Sequence, residues 1–278
     1  MKNRSKLNQQ NGFFDDSFVF RVCFVSQSSL LSRNMNTGQW CKVLVLPAKV
    51  FEIKEKADLG LVAWKLKDFR EEESYETEQE KPVNLVTEIL DLKSSEDSVT
   101  GVFSRDFMRK RYYRRNVIEA PVTEEASFWI APYKERMFAI VLAPSVARGV
   151  KKLLTNYVAN KFSKILFIEP HAIVEATISH ETLKELHERN PQATKLIWFD
   201  QIDIPGIEKL CLAGSDIVDS QLYQDYLKHG KIWYVVFEDR KRGIVTGITR
   251  NCVATLFSKS IADDFVKYVK EDILKLIQ

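Results

Sequence analysis

The chain has 278 residues, of which 45% are hydrophobic and 28% are charged, and its formal net charge is +3. This length allows one large or two modest domains with a buried core. The near-balanced charge neither demands nor excludes a polyanionic partner, because a local basic patch can lie within a balanced total. The longest uninterrupted apolar run, residues 137–143, is far shorter than the ~20 residues of a spanning helix, so the sequence predicts no membrane span.

The N-terminal residues 1–39 are rich in Asn, Gln and Ser, and we expect a poorly ordered tail there. Asp15 and Asp16 interrupt the region in which a secretory signal would need an apolar core. Met35 is an alternative to Met1 as the translation start, and the sequence leaves this choice open.

The cysteines and histidines carry no spacing typical of a metal or redox site. The four cysteines are scattered without a CxxC pair, which argues against a disulfide framework or a cysteine zinc site and favours a cytoplasmic location. His180 and His187 are seven residues apart, whereas a shared ion on a helix needs histidines at i and i+4. Glycine-rich phosphate loops are absent from the sequence, so we predict no metal and no cofactor.

The predicted elements of residues 40–130 form a β-rich N-terminal domain. Residues 42–53 and 59–66 are both strand candidates. Residues 70–82 include six glutamates without a packing pattern and are predicted to form an exposed acidic loop. Residues 83–92 fit either a short amphipathic helix or a strand, since their period does not decide between the two.

Residues 131–278 are predicted to form a C-terminal α/β domain that begins with a βαβ unit at about 136–169. The run at 137–143 is apolar on both faces, as in a strand covered on both sides. Apolar residues then recur at helical spacing from 146 to 158, and residues 164–169 form another buried strand candidate. This order predicts a parallel strand pair with a right-handed crossover.

The next elements are bounded by capping residues. Ser179 is predicted to cap a helix that ends before Asn190, and residues 194–200 are a core strand candidate. Asp219 or Ser220 is predicted to cap a second helix, with Gly230 placed to end it as the C′ residue.

The last strands and the final helix complete the predicted fold. Residues 232–258 are predicted to form a three-stranded antiparallel meander, and Ser260 caps the last helix. The predicted fold class is therefore α/β or α+β, with a mixed sheet packed by helices.

The strongest functional signal is the basic-aromatic segment 105–116. Residues 105–115 contain six basic residues and one acid, which gives a local charge of +5. If the segment is a strand, alternation places Arg109, Arg111 and Tyr113 on one side, and the other side receives Lys110, Tyr112 and Arg114. Arginines pair with phosphates and tyrosine rings stack on unpaired bases, a combination that is typical of single-strand binders.

Other roles of the same segment stay open at this point. Charges also protect an edge strand from aggregation, and arginine stems and tyrosines can cover the edge of a core. The segment could also pair with the glutamates at 71–80, within the chain or between subunits. The exposure of Tyr112 and Tyr113 discriminates between these alternatives, because rings turned inward would leave an ordinary strand.

Three functions follow from these features. The leading hypothesis is a non-enzymatic protein that binds DNA or RNA, and its candidate residues are Arg109, Lys110, Arg111, Tyr112, Tyr113, Arg114, Arg115, Arg240, Lys241 and Arg242. The second is a Mg²⁺-dependent nuclease centred on Asp200, Glu238, Asp239 and Lys241, where Asp-Arg-Lys matches a DxK pattern. The third is a homo-oligomeric assembly module in which acidic and basic segments pair between subunits.

Overall fold

The computed structural model describes residues 46–76, 82–142, 152–169, 171–257 and 261–277, with the backbone alone for residues 152 and 153. The predicted N-terminal tail and both alternative start methionines lie outside these residues. Ser260, the predicted cap of the last helix, also lies outside them, and the residue at the cap position of that helix is Ile261.

The described residues form one sheet of twelve strands. In chain order these are β1 (Leu46–Ile53), β2 (Arg70–Tyr75), β3 (Val83–Ser94), β4 (Val99–Tyr113), β5 (Asn116–Tyr133), β6 (Arg136–Leu142), β7 (Ile173–Glu175), β8 (Thr194–Asp200), β9 (Leu210–Ala213), β10 (Lys231–Asp239), β11 (Ile244–Thr249) and β12 (Val253–Leu256). Their order across the sheet is β2-β3-β4-β5-β6-β1-β12-β11-β10-β8-β9, and β7 pairs with β1.

Helices pack on this sheet. They are α1 (Leu59–Leu66), α2 (Lys152–Phe167), α3 (His180–Arg189), α4 (Gln221–His229) and α5 (Ala262–Tyr268). The chain continues from α5 as a π-helical turn at Val269–Ile273 and a 3₁₀ turn at Leu274–Leu276. Across the described part of the chain, every helix is too short or too polar to cross a bilayer.

The sheet is antiparallel, so the α+β alternative of the predicted fold class describes the chain. Every pairing between described strands is antiparallel. Both β6 and β7 pair with residues 51–53 of β1, and therefore flank it on opposite sides and run parallel to each other. The prediction of adjacent parallel strands on either side of the helix is wrong, because the strand that follows α2 is β7, and β1 from much earlier in the chain lies between it and β6.

The second strand of the predicted βαβ unit, residues 164–169, is also wrong. Helix α2 continues through Phe167, and Leu166 is buried in line with Val158 and Phe162 on the same helix. The helical apolar spacing therefore extends through the stretch that resembles a short buried strand, and a six-residue apolar run cannot distinguish the two states.

Residues 59–66 form α1 rather than the predicted strand. The Asp58 carboxylate accepts a hydrogen bond from the Leu61 backbone N–H at 2.7 Å, which satisfies one of the free donors at the helix start. Val62 and Leu66 are buried one turn apart, whereas the exposed Trp64 faces away. An N-terminal cap and a four-residue spacing thus prevail over the strand propensity of Leu, Val and Trp.

The predicted acidic loop at 70–82 begins as the edge strand β2. Its residues from Arg70 to Tyr75 pair with β3 over six positions, although nearly all of its side chains are exposed. Backbone hydrogen bonds hold this strand in place, and for that reason no apolar pattern marks it in the sequence. Residues 77–81 of the predicted loop lie outside the described residues.

Several elements and caps are confirmed. Residues 83–92, which fit either state, lie within β3, and the predicted strand 194–200 is β8. The Ser179 hydroxyl accepts from the Thr182 backbone N–H at the start of α3, and Ser220 caps α4 in the same way.

Gly230 ends α4, as predicted, and its φ of −154° is extended. A Cβ at this position would lie 2.3 Å from Ile202 Cδ1 and 3.0 Å from the Asp200 carbonyl oxygen. The glycine is therefore needed for close packing and not for its backbone freedom.

Helices cover both faces of the sheet, which therefore separates two apolar cores. One core contains Phe51 and Phe103 with side chains of α1 and α2. The other contains Val50 and Tyr223 with side chains of α3, α4 and α5. All eight residues of β1 are buried, since this strand lies between the two cores. The predicted domain boundary after residue 130 falls within β5, which pairs with β4 and β6 in the same sheet.

The C-terminal strands contain a glycine that accommodates a large ring. β10, β11 and β12 are successive antiparallel neighbours. A Cβ on Gly247 of β11 would lie only 2.1 Å from the hydroxyl oxygen of Tyr234 on β10. Tyr234 is fully buried, so its ring has no free space into which it could move.

Candidate nucleic-acid interface

The basic-aromatic segment lies in a long hairpin formed by β4 and β5. The two strands pair continuously from Val99–Ile130 to Tyr113–Asn116. Among the described residues, the pairing of β4 with β3 stops at Arg105, and the pairing of β5 with β6 begins at Phe128. Residues 106–123 therefore form a two-stranded ribbon that has no further described strand beside it, and we refer to these residues as the arm. Its eight residues per strand give a length of about 26 Å at 3.3 Å per residue.

The turn at the end of the arm consists of two arginines. Arg114 and Arg115 have φ values of 45° and 69°, and they connect the directly paired residues Tyr113 and Asn116. Two successive left-handed residues in a two-residue hairpin loop are typical of a type I′ turn, which usually contains Asn-Gly. The prediction that Arg114 shares a strand face with Lys110 is wrong, because Arg114 belongs to this turn.

Strand alternation assigns the other predicted residues to two faces of the arm. Phe103 packs in the core under α2, and the guanidinium of Arg105 lies 3.9 Å from the ring centroid of Tyr157 on that helix. Every second residue of β4 beyond them therefore points to the same side, which we call the α2 face; these residues are Phe107, Arg109, Arg111 and Tyr113. Lys110 and Tyr112 point to the opposite face.

Both tyrosine rings are exposed. Tyr112 is 87% accessible and Tyr113 is 57% accessible. Two apolar residues on the adjoining part of β5, Val117 and Ile118, are exposed as well. The end of the arm thus presents an apolar surface among arginines, and such surfaces mark interaction sites more often than ordinary solvated strands.

The positive charges of the arm differ in how they are neutralised. Lys110 Nζ lies 2.8 Å from Glu119 Oε1 across the ribbon, so its charge is balanced locally. Arg109, Arg111 and Arg115 make no ion pair with any described carboxylate. The guanidinium of Arg114 lies 5.4 Å from the Tyr113 ring. The α2 face and the turn therefore carry positive charge that the described chain does not neutralise.

The base of the arm is fixed by hydrogen bonds of Asp106. Its carboxylate accepts from the Thr123 hydroxyl at 2.6 Å and from the Val86 backbone N–H at 3.1 Å. These contacts connect three strands at the point where regular pairing with β3 ends. They place the acid of the segment at the base, away from the arginines at the end.

The second predicted basic cluster, Arg240 to Arg242, lies in the turn between β10 and β11. Four antiparallel steps lead from β5 through β6, β1 and β12 to β11, so both hairpin turns lie at the same end of the sheet. Four strand spacings of about 4.8 Å separate the two hairpins laterally by about 19 Å.

Arg242 is engaged within the fold. Its Nη2 lies 2.6 Å from both Glu271 Oε2 and Asp272 Oδ2. Burial alone would raise the pKa of Asp272, but its contacts with Lys275 and Arg242 hold that pKa below the ordinary value. Arg240 and Lys241 are exposed, so they are the members of this cluster that are available to a ligand.

The structure does not bring together the residues of the predicted nuclease site. Asp200 is paired opposite Lys231 at one end of β10, whereas Asp239 lies at the other end, eight residues or about 26 Å away. The Asp239 carboxylate instead accepts from the Lys241 backbone N–H at 3.0 Å within the turn. The described residues contain no group of three metal-ligating side chains.

Asp200 is bound to an arginine from a neighbouring strand end. Its Oδ2 lies 2.5 Å from Arg250 Nη2, and its Oδ1 has no hydrogen-bond partner in the described part of the chain. Burial raises the pKa of this carboxyl above its ordinary value, although the Arg250 guanidinium opposes the shift. This pair contributes to the fold, and the sequence does not indicate it because its members are 50 residues apart.

A buried polar cluster beneath α2 is also invisible in the sequence. The Lys49 ammonium donates to Asn156 Oδ1 at 2.9 Å and to Glu175 Oε1 at 2.6 Å, and so connects β1, α2 and β7. A small cavity of about 210 Å³ borders it, with the exposed His171 at its rim. A lysine between apolar residues of the buried strand β1 does not by itself indicate this cluster, because its partners lie more than 100 residues away.

No protein-family model and no curated protein matches this chain. The function is therefore argued from its own residues.

Proposed function

We propose that this protein binds nucleic acid, DNA or RNA, through the arm formed by β4 and β5. The observation that carries the proposal is the exposure of the Tyr113 ring beside arginines that no described carboxylate neutralises. An exposed aromatic ring can stack on a base while neighbouring arginines bind phosphates of the same strand. A strand that merely covered the edge of a core would bury its rings.

The position of the arm supports this function. The arm extends from a sheet that is packed on both faces, so a long ligand can approach both of its sides without displacing a core element. The arm contains five basic residues and two acids, a net charge of +3 from the sequence. Binding by such a patch depends on release of counterions from the phosphates and therefore weakens steeply with salt.

The test is a salt titration of binding with a charge-matched control. Arg111→Ala/Arg114→Ala/Arg115→Ala removes three cations of the arm, whereas Lys56→Ala/Lys67→Ala/Lys93→Ala removes three exposed lysines elsewhere. Fluorescence anisotropy with labelled single-stranded and duplex oligonucleotides at several salt concentrations gives Kd and its salt slope. Each lost phosphate contact lowers the slope by about 1, so we expect a drop of about 3 for the arm variant alone. Equal affinity of the arm variant and the wild type would refute the proposal.

Self-association is a second candidate, favoured by the acidic edge strand. Glu72 and Glu73 are exposed on β2, which is an edge of the described sheet, and the β2 end near Tyr75 lies at the same end of the sheet as the arm. An arm of one copy could meet this strand on another copy. Sedimentation velocity at low and high salt tests it: a monomer at both would exclude assembly, and a salt-sensitive dimer lost in Glu72→Gln/Glu73→Gln would support it.

The predicted cytoplasmic location stays part of this proposal. Cys211 and Cys252 are free thiols in the described fold, and Cys252 is fully buried. Burial raises the pKa of the Cys252 thiol to about 12, so this side chain behaves as a small apolar residue.

A further inference from the structure

The cations of the arm lie along one strand and its turn. All five, Arg109, Lys110, Arg111, Arg114 and Arg115, belong to β4 or the turn. The facing part of β5, residues 116–123, contains no basic residue and contributes Glu119. The ribbon therefore offers one line of positive charge and not two.

A single line of charge matches one phosphate backbone. A ribbon inserted into the major groove of a duplex lies between two phosphate chains, so both of its edges meet negative charge. In this arm the second edge would bring Glu119 and the apolar residues Val117 and Pro121 towards one of those chains. Along that half of the contact, the phosphates would be repelled by the carboxylate or would face apolar side chains that cannot bind them.

The two faces of the arm are also unequal. On the α2 face, Arg109 lies opposite Ala120 and Arg111 lies opposite Ile118, so no acid balances either guanidinium across the ribbon. On the opposite face, Lys110 is paired with Glu119 at 2.8 Å. Net positive charge and an apolar neighbour thus coincide on the α2 face.

Tyr113 completes this face at the end of the arm. Arg109, Arg111 and Tyr113 are successive residues on the same face of β4. Their side chains therefore form a row of about 13 Å. The Tyr113 ring is more than half exposed, and Ile118, which is paired with Arg111, is its diagonal neighbour on the same face. A row of two guanidinium groups followed by an aromatic ring can hold two phosphates and stack one base.

From this asymmetry we infer that the ligand is a single-stranded nucleic acid that runs along β4 on the α2 face, with phosphates on Arg109 and Arg111 and a base on Tyr113. This inference rests on the proposed function and specifies its ligand. Tyr112, on the opposite face, takes no part in stacking, although it is the more exposed of the two tyrosines.

The test compares matched variants from the two faces. Tyr113→Leu and Tyr112→Leu each remove one exposed ring and keep an apolar side chain. Arg109→Gln/Arg111→Gln removes the unneutralised charges, and Lys110→Gln/Glu119→Gln removes the balanced pair with no change in net charge. Binding is measured by fluorescence anisotropy at 50 mM salt with a labelled 20-nucleotide single strand of DNA, the same sequence in RNA, and the corresponding DNA duplex.

We expect at least one of the two single strands to bind about tenfold tighter than the duplex, since base stacking contributes only with unpaired bases. Tyr113→Leu should weaken single-strand binding about tenfold and Arg109→Gln/Arg111→Gln by more, whereas both opposite-face variants should stay within about twofold of the wild type. Tighter duplex binding, or equal losses from Tyr112→Leu and Tyr113→Leu, would overturn the inference and leave the proposed function intact. Absence of binding to all three probes would overturn both. Circular dichroism of each variant checks that the fold is retained.

Discussion

Protonation of the buried His187 ring is expected to destabilise the fold in mild acid. His187 lies on α3 and is fully buried, with its Nδ1 2.9 Å from the Thr194 hydroxyl and its ring edge-on to Tyr223. Its Nε2 has no hydrogen-bond partner among the described residues. Burial lowers the pKa of this imidazole from 6.5 to about 4, because a charged ring would lose its hydration there.

The sign and the size of the effect follow from this difference in pKa. Between pH 6.5 and pH 4 the unfolded chain binds a proton at His187 that the folded chain excludes, so the free energy of unfolding falls as the pH falls. The full difference of about 2.5 pKa units corresponds to about 3 kcal/mol, and about 2 kcal/mol of it is lost by pH 5. Above pH 6.5 the ring is neutral in both states and this contribution is constant.

Urea unfolding at pH 7.5 and pH 5.0 measures this loss. His187→Asn removes the titrating ring, so the difference between its two pH values should be about 2 kcal/mol smaller than in the wild type. Leu183→Ala on the same helix serves as control, because it should lower stability about equally at both pH values. The hydrogen bond with Arg136 lowers the pKa of Glu52, so loss of that contribution begins below about pH 4.5, outside this window. Identical pH dependence of the wild type and His187→Asn, or a measured His187 pKa near 6.5, would refute the reasoning.

Three further changes test the structure. Arg114→Asn/Arg115→Gly replaces the turn by residues that favour the left-handed conformation of a type I′ turn. The variant should slow hydrogen exchange of the arm amides by a factor corresponding to about 1 kcal/mol. Unchanged exchange would contradict this turn type. Gly247→Ala forces a methyl group into a buried ring and should cost about 3 kcal/mol in chemical denaturation, so an unchanged midpoint would show that the packing is wrong. Arg250→Ala leaves the Asp200 carboxylate buried without its partner and should cost about 3 kcal/mol. Adding Asp200→Asn should recover part of that loss, and a purely additive double variant would argue against the ion pair.

The features of the arm could be predicted to different extents from the sequence. Alternation along β4 correctly separates Arg109 and Arg111 from Lys110 and Tyr112, because a strand places successive side chains on opposite faces whatever surrounds it. It fails at Arg114, because neither turn position, 114 or 115, carries the Gly or Asn that usually indicates a left-handed turn. The pairing of Lys110 with Glu119 depends on the register of the hairpin, which that turn fixes.

The wrong predictions share a physical origin. The edge strand β2 consists mostly of exposed charged residues and is held by backbone pairing, which leaves no pattern in its side chains. The nuclease hypothesis required Asp200 and Asp239 to converge at the ends of neighbouring strands; β8 and β10 are neighbours, but they are antiparallel and put the two acids at opposite ends. The first result depends on which strand is the neighbour, and the second on the direction in which the neighbour runs.

The sequence by itself determined the local features of this protein: the cap Ser179, the strand 194–200, and the basic and aromatic residues of the arm. These features depend on interactions between residues that are close in the sequence, and residue type and hydrophobic periodicity indicate them directly. Only the tertiary structure decided that β1 lies between β6 and β7, and that β4 and β5 extend beyond their neighbours with both tyrosine rings exposed. Strand order and the lengths of neighbouring strands arise from pairings over long sequence separations, and the period of a single strand carries no information about them.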